Sequence, residues 1–514
     1  MPGLSPVEYR LMLPMVELGI FALGILMIDL MIPREWKWMN AVGAFVGVLF
    51  SALCVWQIQT LFPRGAIGFS NSLLVDHFAI YFWYLFLAGA GIAILMSVRY
   101  LDVENEHHGE YYALLLLSVI GMMCMAAGID IVLIFIGLEL MAISTYVLVG
   151  FLRRDRRSNE AALKYLLLGA FSSGIFAYGL SLLYGLSGST NLLIIARAVS
   201  TRDAHNPVLI IAMLTTMVGL LFKIAAIPFH QWAPDAYEGA PTSITGFMSV
   251  AVKAAAWAML LRILGYPVFV AAGGMVVLGL YPLRAIYTPV IVFVSIATMT
   301  GANFAALTQS NTKRLLAYSS IAHVGYMLLA FVAMGTSEPG SPGFLDGLKG
   351  ILIYLLVYTF MNLGAFAVIT SLRNRNVIGD ELDDIAGLYS RAPVEAVLML
   401  LFLLSLAGIP PAAGFLGKYY IFLSLIESQH YWLAAAAVLY ALFGLYYYLK
   451  IANAMFMRES LETERLPISL GMRFALGITA LATIVIGVYP EPFIRSVNWS
   501  LGIAQTPHVA AMLK

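Results

Sequence analysis

Cysteine is nearly absent from this chain, with two in 514 residues, Cys54 and Cys124. Both lie in apolar runs, where a thiol reads as a small buried hydrophobe rather than a redox centre or metal ligand. There is no cysteine cluster, no Gly-rich phosphate loop and no HExxH pattern. The chain is therefore expected to hold no iron–sulfur cluster, flavin, nucleotide or metal, and to do no electron chemistry itself. Charge is scarce too. Only 11% of residues are charged, against about a quarter in soluble domains, and a net charge of +1 gives a nucleic-acid partner no electrostatic support. What fills the space is hydrocarbon: 61% of residues are hydrophobic, which defines an all-α polytopic membrane protein. Glu8 and Arg10 precede the first apolar run, and no small-residue cleavage site follows. That run is read as a retained span rather than a signal peptide.

A bilayer core takes about 20 apolar residues per helix. That length places about 14 transmembrane helices, near 11–31, 39–58, 77–98, 111–127, 129–151, 163–186, 207–227, 242–264, 288–308, 314–334, 347–371, 392–426, 431–455 and 472–494. The stretch 266–281 is apolar but short and bounded by Pro267 and Pro282, which fits a re-entrant or loop-covering segment. With an even number of spans the termini share a side. Lys and Arg in alternate connections number fifteen on one side, including the cluster Arg153, Arg154, Arg156 and Arg157, and nine on the side of the termini. The positive-inside rule then places both termini outside the cytoplasm. Faint internal echoes recur at a near-constant displacement: YVLVGF at 146–151 with YMLLAF at 326–331, Leu163-Lys164 with Leu348-Lys349, and Ile227-Pro228 with Ile409-Pro410. They suggest two five-helix repeats, spans 4–8 and 9–13. A unit of five spans inverts its successor, a recurrent transporter design. The expected organisation is 1–110, an N-terminal three-helix segment; 111–264, the first repeat; 265–287, an apolar insert; 288–455, the second repeat; and 456–514, a C-terminal helix and tail.

Against this background four ionisable residues stand out inside apolar runs: Glu139, Lys223, Lys253 and Lys418. Each charge at a helix centre costs roughly 2.5–3.5 kcal/mol on translocon scales, so such groups are kept where they face a polar interior. Lys223 precedes Pro228 in span 7, and Lys418 follows Pro410 and Pro411 in span 12. Proline removes a backbone donor and breaks a helix, and broken backbone at that depth is tolerated only against protein or a wet cavity. Two broken helices, 7 and 12, each with a lysine beside the break, form the strongest constellation in the chain. The bland alternative is a lysine snorkelling to the interface. Lys253 has small neighbours that allow close helix approach. Glu139 needs a cation, with Lys223 the favoured partner and Lys164 the alternative. Burial favours neutral lysine and a nearby carboxylate favours the charged form, so moving one charge switches the amine between holding and releasing a proton. His230 and His323 are weaker candidates for passing protons, and Lys164 and Lys349 are candidates at span starts.

Several runs together resemble a known family. FHQWAPD at 229–235 and YEGAPT at 237–242 look like the antiporter-like membrane subunits of respiratory complex I. KRLLAYSSIAHVGY at 313–326, YTFMNLGAF at 358–366 and LAGIPPAAGFLGK at 406–418 most resemble its subunit N type. The resemblance covers roughly residues 75–460. It implies fourteen helices, inverted repeats and a mid-membrane axis of buried lysines, with Glu139, Lys223, Lys253 and Lys418 on the proton path and Lys164 and His230 in support. It also implies a proton-translocating subunit of an NADH:quinone oxidoreductase in a bacterial inner (plasma) membrane. The partners would be other membrane subunits of the complex, the neighbouring antiporter-like subunits and the small K-type subunit, with FMN, iron–sulfur clusters, NADH and quinone in or at partner subunits and no cofactor in this chain. A subunit of a multi-subunit cation/proton antiporter is the alternative. The insert around 266–286 is longer than the resemblance leads one to expect.

Overall fold

The computed structural model describes residues 5–265, 267–269, 275–277, 280–373, 379–459 and 468–502. Parts of the 265–287 insert and of the 456–514 segment lie outside these residues, as do Arg375, Arg465 and Lys514 of the charge count. The helices are α1 (Pro6–Asp29), α2 (Met39–Leu61), α3 (His77–Glu104), α4 (Gly109–Ala127), α5 (Ile131–Val149), α6 (Arg156–Ser187), α7 (Leu192–Ser200), α8 (Pro207–Ile224), α9 (Trp232–Gly239) and α10 (Thr242–Phe247). A π turn, Met248–Val252, joins α10 to α11 (Lys253–Leu264). There follow α12 (Arg284–Leu307), α13 (Thr312–Thr336), α14 (Pro342–Leu372), α15 (Leu388–Arg391), α16 (Pro393–Ala407), α17 (Ala413–Glu427), α18 (Tyr431–Met457), α19 (Leu470–Val488) and α20 (Glu491–Ser500). Two short antiparallel strand pairs are also described, β1 (Ala66–Gly68) with β2 (Leu73–Val75) and β3 (Pro267–Phe269) with β4 (Met275–Val277), along with 3-10 turns at Arg34–Trp36 and Tyr281–Leu283. β3 and β4 lie in the apolar insert.

Thirteen helices among the described residues are long and apolar enough to cross a membrane. They match the expected spans except the twelfth, which is divided into α16 and α17 around residues 408–412. Their ends are written in polar residues at the turns. Ser5 and Glu8 form a reciprocal capping box at α1, Asp76 caps α3, Asp130 caps α5, Asp155 caps α6 and Asn311 caps α13. Each satisfies backbone donors that a membrane helix cannot leave bare. The cap at Asp155 starts α6 earlier than hydropathy suggests, so Lys164 lies two turns inside the helix instead of at its start.

Packing is layered. The stretch Thr242–Leu264 is wholly enclosed, and α3, α13 and α14 nearly so, whereas α1, α2, α18 and α19 turn most of their surface outward. Close approach depends on small residues: a Cβ on Gly121 would lie 2.5 Å from Gly137 O, and one on Gly137 would lie 2.7 Å from Gly121 O. This reciprocal contact lets α4 and α5 interlock at backbone distance.

Candidate functional site

Each of the three mid-span lysines sits at an irregularity in its helix, and each amine is turned inward. Lys223 is in the last turn of α8, which closes on Ala225 at a left-handed φ of 60°. Its amine donates to Tyr146 Oη at 3.3 Å and lies 5.4 Å from that ring's centre. Tyr146 meets Tyr165 edge-on at 4.5 Å, and Tyr165 stacks on Trp232 at 4.4 Å. Trp232 Nε1 then donates to Phe222 O at 3.0 Å. The helix that resumes as α9 beyond Pro228 is thereby fastened to the residue preceding Lys223.

Lys253 begins α11 directly after the π turn. It donates to Ser320 O at 3.1 Å and also to Ser320 Oγ on α13. Lys418, on α17, reaches back across the break to donate to Ala407 O at 2.5 Å and Leu406 O at 3.3 Å. Those carbonyls are the unpaired C-terminal end of α16, where the helix dipole favours a cation. The Tyr326 ring lies 5.3 Å from the same amine. Gly408 makes the approach feasible: its φ is +83°, and a Cβ there would stand 2.8 Å from Lys418 Cδ. The lysines are 4%, 3% and 6% exposed, so snorkelling does not describe them. The cost of burial is met by fixed dipoles and aromatic faces.

The other expected residues are placed less uniformly. His323 joins the centre: Nδ1 is 2.5 Å from Tyr354 Oη, Nε2 is 3.0 Å from Tyr448 Oη, and both Lys253 and Lys418 act on it electrostatically. Glu139 is half-buried and, among the described residues, forms no direct ion pair with Lys223 or Lys164. Its Oε1 is buried without a hydrogen-bond partner among the described residues. The reason is spacing: Tyr146, two turns further along α5, occupies the position against Lys223, so the carboxylate acts on the amine only at longer range. Lys164 pairs instead with Glu160 at 2.8 Å and Asp235 at 2.9 Å on an exposed rim. Lys349 pairs with Asp346 at 3.1 Å near the start of α14. His230 is half-buried beside Pro228, and among the described residues its Nδ1 has no hydrogen-bond partner and no hydrogen bond joins it to the lysines. Cys54 donates to Glu17 at 2.9 Å and Cys124 lies 3.6 Å from Met15 Sδ, both in packing positions.

Sequence reasoning passed over the tyrosines and the rim. Tyr354, Tyr358 and Asn362 recur every four residues along α14, a polar stripe in an otherwise apolar span. At the arginine-rich surface Arg314 donates to Asp235 at 2.6 Å and to Glu238 at 2.9 Å, so Asp235 ties α6, α9 and α13 together. Although burial opposes it, bonding to Lys164 and Arg314 holds the Asp235 carboxyl below its ordinary range. At the other surface a fully buried Arg262 forms a fork to Asp76, at 2.9 and 2.5 Å, and donates to Ala126 O at 2.8 Å.

An enclosed bundle with interrupted helices and inward amines defines an ion-handling membrane subunit rather than a receptor or a lipid-facing anchor. The family description "NADH:quinone oxidoreductase/Mrp antiporter, TM" matches residues 127–444. The chain is 60% identical to NADH-quinone oxidoreductase subunit N 1 of Koribacter versatilis, covering 99% of both chains, and 50% identical to subunit N 2 of Solibacter usitatus, covering 95% and 96%. It therefore belongs to the subunit N branch of the NADH:quinone oxidoreductase/Mrp antiporter family, the proton-translocating membrane subunits of respiratory complex I. Among solved structures, a chain of complex I from Thermus thermophilus superposes with a TM-score of 0.75 at 29% identity, covering 94% of this chain and 99% of that one. A chain of an archaeal membrane-bound sulfane sulfur reductase superposes at 0.79 with 25% identity, covering 96% and 97%. A chain of the Mrp complex from Dietzia, at 18% identity and 0.76, shares the fold, covering 95% and 97%.

Proposed function

We propose that Lys223, Lys253 and Lys418 form the proton path of this subunit, with His323 between the last two. Redox chemistry, with FMN, iron–sulfur clusters, NADH and quinone, belongs to partner subunits, and its energy reaches this chain as an electrostatic or conformational change. Glu139 biases Lys223 through Tyr146, Lys253 passes the proton laterally, and Lys418 exchanges it with the far side. The reading includes fourteen spans, with α16 and α17 as halves of one, inverted repeats at 111–264 and 288–455, and both termini on the non-cytoplasmic side of a bacterial inner membrane. Neighbouring antiporter-like subunits and a small K-type subunit cover its flanks.

The single observation that carries this reading is the sequence of inward contacts from Lys223–Tyr146, through Lys253–Ser320 and Tyr354–His323–Tyr448, to Lys418 on the α16 carbonyls. Replacing Lys223 by alanine in the assembled complex should abolish or uncouple quinone-linked pumping. An unchanged rate and proton-to-electron ratio in sealed vesicles would remove this lysine from the path.

A further inference from the structure

A line of polar groups reaches Lys253 from the arginine-rich surface. Along the wholly enclosed stretch that carries it, Thr242 and Ser249, seven residues apart, share one face, and Lys253 follows directly after the π turn. Asn362 on α14 donates to Ser249 Oγ at 2.7 Å, leaving its own Oδ1 buried and without a partner among the described residues. Tyr358, one turn earlier on α14, faces Ser320 without completing a hydrogen bond. Thr312 Oγ1, at the head of α13, is likewise buried and without a partner among the described residues. Orphaned polar atoms of this kind are the usual partners of buried water.

The outer end of this line is closed by an ion pair absent from the four expected groups. Lys313, 2% exposed, donates to Ala240 O at 2.8 Å and lies 3.5 Å from Asp380, itself 9% exposed. Tyr100 has both Thr242 and Asp380 as polar neighbours, joining the pair to the first hydroxyl of the line.

We propose that Asp380 loads protons for Lys253, with Lys313 as its latch and the Thr242–Ser249–Asn362 face as the route. The assignment rests on the proton-path reading above and names the group that feeds its central lysine. A proton from solvent forms an O–H bond on the Asp380 carboxylate and ends its pairing with Lys313. Passing the proton inward breaks that O–H bond and, through hydroxyls and water, forms an N–H bond on neutral Lys253. Asp380 is then anionic again and Lys253 cationic. The groups facing Asp380 are Lys313 on α13, Arg373 after α14 (paired with Glu104 on α3), Tyr100 on α3 and Asp384 in its own loop. Burial, the largest influence, raises its carboxyl above the ordinary range despite Lys313 and Arg373. A raised carboxyl takes up a proton closer to neutral pH.

The test uses the intact complex in sealed membrane vesicles, with acidification and NADH oxidation followed together across pH and complex content checked on native gels. Asp380→Asn should slow proton uptake on the order of ten-fold or more. Asp380→Glu should restore most of it with a displaced pH profile, which a merely structural role would not produce. Thr242→Val and Asn362→Leu, which obstruct the route without touching the ion pair, should also lower pumping. Wild-type rate, proton-to-electron ratio and pH profile in Asp380→Asn would overturn the assignment. If that variant does not assemble, unimpaired pumping in both Thr242→Val and Asn362→Leu would overturn it equally. Lys253→Ala separates the two levels: full pumping in that variant defeats the proton-path reading, whereas its loss beside a normal Asp380→Asn defeats only the loading role.

Discussion

Gly408 shows how much of the site depends on an atom that is not there. Its φ of +83° and the 2.8 Å clearance to Lys418 Cδ both exclude a side chain. Gly408→Ala is expected to cost about 1–3 kcal/mol in backbone strain and to push the amine off the α16 carbonyls. Pumping should then fall in assembled complex, measured as proton-to-electron ratio, although no charge has changed. Asp235 gives a residue-scale prediction in pH. Its folded carboxyl is depressed by Lys164 and Arg314, so its contribution to stability is fully present above its unfolded value of about 3.9 and is lost as pH falls through the lower folded value. Hydrogen-exchange protection factors in α9 and the first turns of α13, taken relative to the intrinsic exchange rate at each pH, should therefore fall on acidification, and Asp235→Asn should remove most of that dependence. Of these residues, the lysines were legible because charge in hydrocarbon is conspicuous. Gly408 and Asp235 were not, since a glycine and a rim carboxylate look ordinary until their neighbours are known.

At the scale of elements, hydropathy located thirteen of the expected spans, because apolar length and bilayer thickness constrain each other. It could not find the edges set by Asp155 and Asn311, which are hydrogen-bond events rather than changes in polarity. Nor could it pair Arg262 with Asp76, which lie 186 residues apart in sequence. That pair clamps the end of α11 to the start of α3 and the last turn of α4. Arg262→Met should destabilise by roughly 3–5 kcal/mol, because it leaves Asp76 uncompensated. Arg262→Met combined with Asp76→Leu should recover part of the loss. Heat dissociation of the purified complex, followed on native gels, would check both; equal behaviour of the single and double variants would count against the clamp.

For the whole molecule, the pattern of Lys, Pro and small residues indicated a buried axis, yet the links between its members are tyrosines, serines and a histidine that composition treats as filler. Tyr146 is the clearest case: a carboxylate–lysine pair is expected where Lys223 donates to a phenol instead. Distances across helices cannot be read from spacing along one of them. The π turn at Met248–Val252 carries one more consequence. Ordinary helical winding turns each successive side chain by about 100°, and a single surplus residue in that turn resets the bearing of everything after it. The direction in which Lys253 points is thus encoded in chain length rather than chemistry, as an angular offset stored in one turn of the backbone.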